Sequence, residues 1–265
     1  MLLKSHSRSA FSLVELSIVL VILGLLTGGI LTGQSLIRAA ELRSVATEFQ
    51  KYHTAVQSFR DKYFALPGDM RNATDFWGRA GGTTGSDSAC YQSTSGTGTQ
   101  TCNGDGEGTI FLGAGGEYNE RYTFWQHLAN AGLIEGTYTG KAGAGGALNS
   151  IPGTNVPISR LNQALWYVET RSASDNTSYY FNKNYGNYLL LGGDISINRP
   201  HGTIVTAEEM WNIDVKLDDG RPAYGKVIAG NFLTCTMATV YTQLDVDYRL
   251  NSSGSACNMF FSGAY

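Results

Sequence analysis

Charge of either sign is scarce in this 265-residue chain, and basic residues are not in excess. Charged side chains make up 15% of the sequence, and 19 lysines and arginines against 22 aspartates and glutamates leave a net charge of -3. A protein that holds nucleic acid through its overall field needs an excess of positive charge. The composition therefore argues against nucleic acid as a partner.

The motifs of common enzyme classes are also missing. The four histidines form no H-x-x-x-H or H-E-x-x-H pattern, and no G-x-S-x-G occurs, so metalloprotease and serine-hydrolase sites lack their usual residues. The glycine-rich stretches 113–116 and 143–146 lack the G-K-S/T of a phosphate-binding loop. The sequence therefore predicts a protein that is not an enzyme, with no cofactor apart from the metal considered below.

One long apolar run contrasts with the polar remainder. From Phe11 to Gly33 the only ionisable residue is Glu15, and Lys4 and Arg8 precede the run. As a helix, with about 1.5 Å of rise per residue, this run can cross a hydrocarbon core of about 30 Å. Positive charge before it favours a cytoplasmic amino terminus. A secretory signal peptide is the alternative, but an acid at the start of its apolar region would serve no purpose.

The helical pattern continues beyond the apolar run. Leu66-Pro67-Gly68-Asp69 marks its end, because proline and glycine break helices. We therefore expect a transmembrane helix over 11–33, an amphipathic continuation over 34–66 and a globular domain over 67–265. The stripe that predicts the continuation has apolar residues three or four positions apart, namely Leu42, Val45, Phe49, Tyr52, Val56, Phe59 and Tyr63.

The start of this helix carries a recognisable motif. Ala10-Phe11-Ser12-Leu13-Val14-Glu15, followed by the apolar run, resembles the cleavage and methylation signature of type IV prepilins and type II secretion pseudopilins. The resemblance implies that residues 1–10 are a leader peptide, which a prepilin peptidase removes by cutting between Ala10 and Phe11. The same enzyme then methylates the new amino terminus at Phe11. Ala10 stands where the family usually has glycine.

Glu15 is costly in an apolar helix unless it has a partner. An unpaired charge in lipid costs about 2.5 to 3.5 kcal/mol even on lenient scales. Cleavage would create an ammonium at Phe11, and in a filament Glu15 of one subunit could pair with that ammonium of its neighbour. The alternative is a capping box, with Ser12 as the N-cap and Glu15 bonded to its amide.

The resemblance also implies an architecture and a role. It implies an α+β, pilin-like fold in which the long helix packs on an antiparallel sheet with disulfide-stapled loops. It further implies a subunit anchored in inner-membrane lipid, with its C-terminal domain in the periplasm. An assembly platform would join it with other pilin or pseudopilin subunits into a type IV pilus or a type II secretion pseudopilus. Its length favours a minor subunit, and the alternative is a filament-tip binding module for adhesion, DNA uptake or secretion-substrate contact.

Short elements are expected in the globular domain. Residues 123–134 and the segment that begins at Thr206 predict two short helices, the second with a capping box. Ala164–Glu169, Tyr188–Leu191 and Lys226–Ala229 predict strands, bounded by turn residues. Together these segments predict an antiparallel sheet that packs on the amphipathic half of the long helix.

The four cysteines form two local pairs in the sequence. None has C-x-x-C spacing, which argues against a zinc knuckle or a redox motif. In an oxidising compartment, bonds between Cys90 and Cys102 and between Cys235 and Cys257 are the simplest of the possible connectivities. Four buried free thiols are the alternative.

One acidic loop resembles the start of a calcium-binding loop. Asn103-Gly104-Asp105-Gly106-Glu107-Gly108 places oxygen ligands at every second residue, with glycine where the chain must turn. The position of the usual bidentate glutamate is Ala114, so Glu117 would have to replace it. The sequence therefore suggests calcium at Asn103, Asp105, Glu107 and Glu117, with a plain polar turn as the alternative. A weaker metal prediction falls on Asp218 and Asp219.

Overall fold

The computed structural model describes residues 12–80, 98–111, 119–172, 179–230 and 232–263. The chain divides into two compact units, one that ends at Arg43 and one that begins at Ser44. The helices and strands are α1 (Leu13–Tyr63), α2 (Ala73–Trp77), α3 (Glu120–Asn130), β1 (Ala164–Arg171), β2 (Gly186–Gly193), α4 (Ala207–Leu217), β3 (Val227–Ala229), α5 (Phe232–Cys235) and β4 (Met259–Ser262).

The first unit contains the apolar part of α1. Its large apolar side chains, from Leu13 to Ile37, are each half or more exposed. The hydroxyls of Thr27 and Thr32 donate to the carbonyls of Leu23 and Gly28, so these two polar groups are satisfied within the helix. The surface of the helix from Leu16 to Gly33 is therefore mostly apolar.

An antiparallel sheet organises the second unit. Its strand order is β1-β2-β4-β3, so the C-terminal strand β4 lies between β2 and β3. β1 and β2 pair along their whole length, from Ala164 opposite Gly193 to Arg171 opposite Gly186. The central residues of β1, β2 and β4 are fully buried, as expected for a sheet with helices packed on it.

Aromatic rings and one carboxylate join the second half of α1 to this sheet. Phe49 stacks on Phe261 of β4 with ring centroids 4.5 Å apart, and Tyr52 contacts the ring of Trp166 in β1 edge-on at 5.4 Å. Glu48 accepts hydrogen bonds from Trp166 Nε1 (2.6 Å), from the Ser159 hydroxyl (2.6 Å) and from the Arg160 amide (2.8 Å). This carboxylate therefore fixes the register of α1 on the sheet.

The segment after α1 is held by α3. Gly68 has a φ of 87°, and a Cβ at this position would lie 2.7 Å from the Glu120 carbonyl oxygen, so glycine is required. The Gly68 amide donates to His127 Nδ1 at 2.9 Å, and His127 Nε2 lies 3.1 Å from the Cys102 carbonyl oxygen. Burial lowers the pKa of His127 to about 4, so the ring is neutral at physiological pH.

The predicted architecture is confirmed, with corrections to individual elements. The long helix, the antiparallel sheet and the α+β layout are all present. The helix predicted over 123–134 begins earlier, at Glu120, and Thr206 caps α4 with the predicted capping box. β4 was not predicted, because three apolar residues followed by a serine carry no distinctive period.

Replacing Glu48 should loosen the contact between α1 and the sheet. We expect Glu48→Ala to lower the free energy of unfolding by about 3 kcal/mol, because the buried donors on Trp166 and Ser159 lose their acceptor. Urea unfolding of the detergent-solubilised chain, followed by tryptophan fluorescence, would measure the loss. The matched control is Glu135→Ala, which removes an exposed ion pair with Lys51 of α1 and should cost less than about 1 kcal/mol. Equal losses in the two variants would contradict the role given to Glu48.

Candidate functional site

The first candidate site is the amino-terminal turn of α1. The Ser12 amide donates to Glu15 Oε2 at 2.9 Å, and the Ser12 hydroxyl accepts from the Val14 amide at 3.2 Å. This is a helix cap in which the hydroxyl bonds the second helical residue rather than the third. The Glu15 side chain is exposed, and its second oxygen is available to another partner. Ala10 and Phe11, the expected cleavage residues, lie outside the described residues.

The helix that follows this turn has the properties of a membrane anchor. α1 contains a stretch that is long and apolar enough to cross a bilayer, and no part of that stretch is buried by the rest of the chain. The helix surface is also open at four glycines, where an added Cβ would have no atom within 4 Å, namely Gly24, Gly28, Gly29 and Gly33. The exposed apolar surface therefore fits membrane anchoring through the amino-terminal helix.

The second candidate site is the acidic loop, for which the structure describes three of the four predicted ligands. Asn103 Oδ1 accepts the amide of Thr74 at 2.9 Å, so this side chain serves the first turn of α2. Glu107 takes part through its backbone amide, which donates to Asp69 and Asp105. Glu117 lies outside the described residues. Asp105 is the one predicted ligand that the structure places in an acidic cluster.

That cluster contains two carboxylates that the sequence did not single out. One oxygen from each of Asp69, Asp105 and Glu120 lies within 4.8 Å of the others. Asp69 accepts the amides of Glu107 and Gly108, while Glu120 accepts those of Asp105 and Phe111. Backbone amides of the acidic loop therefore surround both buried carboxylates.

Burial makes this acidic cluster hold protons tightly. Burial, together with the neighbouring Asp105, raises the pKa of Glu120 to about 8 and that of Asp69 to about 6, although hydrogen bonds from backbone amides act in the opposite direction. Among the described residues, neither Asp69 nor Glu120 has a lysine or arginine nitrogen within 4 Å. Such a group of carboxylates must either keep a proton or bind a cation.

A second acidic cluster lies at the end of α4, where the weaker metal prediction fell. Asp214 joins Asp218 and Asp219, with one oxygen of each within 4.8 Å of the others. The Tyr248 hydroxyl donates to Asp214 at 2.6 Å, and the Val227 amide donates to Asp218 at 2.9 Å. These hydrogen bonds tie the cluster to the turn between α4 and β3 and to Tyr248.

The cysteines support an oxidised domain. Cys235 and Cys257 form a disulfide, which joins α5 to the segment before β4. Cys102 is also disulfide-bonded, and its expected partner Cys90 lies outside the described residues. No free cysteine is found among the described residues, so the alternative of four free thiols does not hold there.

A buried ion cluster on β1 is the largest group of charges that the sequence analysis missed. Glu169 pairs with Arg121 and with Arg199 at 2.6 Å each, and it accepts the Tyr188 hydroxyl at 2.8 Å. Burial alone would raise the pKa of Glu169, but Arg121 and Arg199 outweigh it and lower that pKa. The cluster joins α3, β1, β2 and the loop before α4, so its charges contribute to the packing of the globular unit.

The arrangement is that of a helix-anchored α+β protein, and comparison with known proteins narrows the class. Residues 5–31 match the family model of the prokaryotic N-terminal methylation motif, which is the signature of type IV prepilins and pseudopilins. The chain matches no curated protein and no solved structure. The motif supports a pilin-like or pseudopilin structural subunit, and it implies processing by prepilin peptidase and assembly with other pilin subunits.

The pH dependence of stability should reveal the proton held by the acidic cluster. Because the pKa of Glu120 rises from 4.5 to about 8 on folding, its stabilising contribution is complete below about pH 4.5 and is lost as the pH rises through 8. At about pH 5 we expect the unfolding temperature of the Glu120→Gln variant to be similar to or below that of the wild type. At about pH 9 we expect it to be above that of the wild type. Thermal unfolding in EDTA would show the crossing.

The control for this experiment is Glu107→Gln, which changes an exposed carboxylate of the same loop. His127 gives the opposite slope, since its lowered pKa costs stability as the pH falls from 6.5 through about 4. The contribution of His127 is the same in each protein, so it cancels when the variants and the wild type are compared at one pH. A Glu120→Gln variant that parallels the wild type at every pH would refute the raised pKa.

Proposed function

We propose that this chain is a pilin-like subunit that is cut between Ala10 and Phe11, methylated on Phe11 and assembled through residues 11–33. The product would be a type IV pilus or a type II secretion pseudopilus. The observation that carries the proposal is the methylation motif at residues 5–31, which overlaps an apolar helix whose large side chains are exposed. Lipid before assembly, and neighbouring subunits after it, would cover that surface.

Glu15 is proposed to select the register of assembly. Its capping bond to the Ser12 amide occupies one carboxylate oxygen, and the other is available. Cleavage would place an ammonium on Phe11, four residues away in the same subunit and within reach in a neighbour. A charge pair inside a low-dielectric bundle is strongly disfavoured when one partner is missing, so a misplaced subunit would leave Glu15 unpaired.

The proposed topology follows from the charges around the helix. Lys4 and Arg8 would keep the leader in the cytoplasm, so residues 34–66 and the globular domain over 67–265 would lie in the periplasm until assembly. The disulfide between Cys235 and Cys257 is consistent with that oxidising compartment. We propose a minor subunit on the basis of its size, with a filament-tip binding module as the second candidate.

Glu15→Gln separates the capping role from the charge. Glutamine can also bond the N-cap amide, so the helix should form and the leader should be removed. We expect mass spectrometry to find methylated Phe11 at the amino terminus of both proteins, while Glu15→Gln yields few filaments because the ammonium has no partner. A mature protein that retains residues 1–10 would refute the processing.

Ser12→Ala serves as the control for helix capping. It removes the hydroxyl that accepts from Val14 but keeps the charge of Glu15, so filaments should form in nearly normal yield. Normal filaments from Glu15→Gln would show that capping alone explains the carboxylate. The pairing proposal would then fail, although the processing proposal would stand.

We also propose that calcium can occupy the cluster of Asp69, Asp105 and Glu120. The cluster offers only oxygen ligands, which calcium prefers, and two of its carboxylates are buried without a cationic partner among the described residues. This set replaces the predicted set of Asn103, Asp105, Glu107 and Glu117. Access is available from the surface, since Asp69 also lines an open groove.

Calcium should raise the unfolding temperature at about pH 8, where the cluster has lost most of its protons. The comparison is between calcium chloride and EDTA at equal ionic strength. Glu120→Gln should abolish most of the increase, whereas Asp218→Asn, in the other acidic cluster, should retain it. No increase in the wild type, or an equal increase in the Glu120→Gln variant, would overturn the site.

A further inference from the structure

An open groove lies where α1 ends. It encloses about 1070 Å³ and is bounded by the last turn of α1, the segment after it, and the acidic loop at Gly106 and Gly108. This volume is in the range of clefts that hold an extended small ligand. The exposed apolar surface of the membrane anchor is not part of the groove, so a ligand here would be independent of assembly.

Phe64 lines this groove and has both a strained backbone conformation and an exposed aromatic side chain. Its φ of 53° lies in the left-handed region, where a bulky side chain is a genuine outlier and glycine is the usual residue at a helix end. Its side chain is also 94% exposed, so the ring gains nothing from burial. Strained residues of this kind concentrate at binding sites, and an exposed ring offers a flat apolar face to a ligand.

The charges on the described lining of the groove balance each other. Arg60 and Arg71 are matched in number by Asp61 and Asp69 among the described lining residues. A groove for a phosphate polymer or an acidic peptide would carry excess positive charge, and a groove for a basic segment would carry the reverse. The lining therefore fits a ligand without net charge.

Amide side chains supply the remaining polar surface. Gln57, Asn72 and Asn187 line the groove, and each amide can both donate and accept hydrogen bonds. Asn72 makes no capping bond to α2, so its side chain is not committed to the helix that follows it. Asn187 is held in place because its amide donates to the Gly108 carbonyl oxygen at 3.0 Å and its side-chain oxygen accepts from the Thr170 hydroxyl, so its second amide hydrogen is what it offers to a ligand. Amide groups and charges of both signs suit a ligand rich in hydroxyl groups.

We propose that this groove binds a neutral oligosaccharide, with Phe64 as the stacking platform for a sugar ring. A sugar has an apolar face of C–H groups that packs on an aromatic ring and a rim of hydroxyls that hydrogen-bond to amide, carboxylate and guanidinium groups. The groove offers both surfaces side by side. The inference favours the filament-tip module over a purely structural subunit but does not require it.

The test is direct binding by the full-length chain in a zwitterionic detergent that contains no sugar. The probes are cellohexaose, maltohexaose and chitohexaose, with a heparin-derived hexasaccharide and a thymidine oligonucleotide as charged comparators. We expect calorimetry to detect at least one neutral hexasaccharide. Phe64→Ala should weaken that binding about tenfold, which corresponds to the loss of one aromatic stacking contact. Phe64→Tyr should retain it.

The matched control is Phe111→Ala, which removes a half-exposed phenylalanine that is not among the described lining residues and should leave binding unchanged. Glycine adopts a positive φ without strain, so the unfolding temperature of Phe64→Gly should be at or above that of Phe64→Ala. Both variants should bind the hexasaccharide more weakly than the wild type. Failure of all three neutral probes, preference for a charged comparator, or equal loss in Phe64→Ala and Phe111→Ala would overturn the proposal. The Glu15→Gln variant should bind the hexasaccharide as the wild type does, because Glu15 is not part of the groove. A loss of filament assembly can therefore be distinguished from a loss of sugar binding.

Discussion

The contact between α1 and the sheet is the interaction on which the globular unit depends. Rings of Phe49 and Tyr52 pack on β4 and β1, and the carboxylate of Glu48 satisfies three donors from β1 and the segment before it. The aromatic contacts supply apolar burial without direction, whereas the carboxylate accepts bonds in one geometry only. The helix is therefore held in one register, and the loops that carry the acidic cluster and the groove are positioned from it.

Buried carboxylates of the globular unit lie in two different electrostatic environments. Around Glu169 the carboxylate pairs with guanidinium groups, so the pKa of the carboxyl falls. These ion pairs join β1 to α3 and to the loop before α4. Around Glu120 no such partner is present within the described residues, and the pKa rises instead. The same burial thus produces a pinned ion cluster in one place and a group that takes up a proton or a cation in the other.

The long helix and its two surfaces could be predicted because their signals are local. An apolar run, a stripe at helical spacing and a capping motif are each read within a few turns, and α1 and α4 appear where those signals place them. The acidic cluster could not be predicted, because Asp69, Asp105 and Glu120 meet only after α1 has ended and α3 has packed beneath it. The calcium-loop pattern includes Asp105, which the structure places in the cluster, but it assumes that the partners of Asp105 are its neighbours in sequence. Phe64 lies one residue past the helix and shows its strain only in three dimensions.

The amino-terminal turn shows why a local explanation of Glu15 is insufficient. Its hydrogen bond from Ser12 is a complete account of helix capping, and a neutral glutamine could make the same bond. Capping therefore explains the acceptor but not the charge. A full charge at the head of an apolar helix costs about 2.5 to 3.5 kcal/mol in lipid when unpaired, which exceeds the roughly 1 kcal/mol that a cap contributes. The balance is favourable only if a positive charge meets the carboxylate, and the proposed cleavage before Phe11 would create an amino terminus that can supply one.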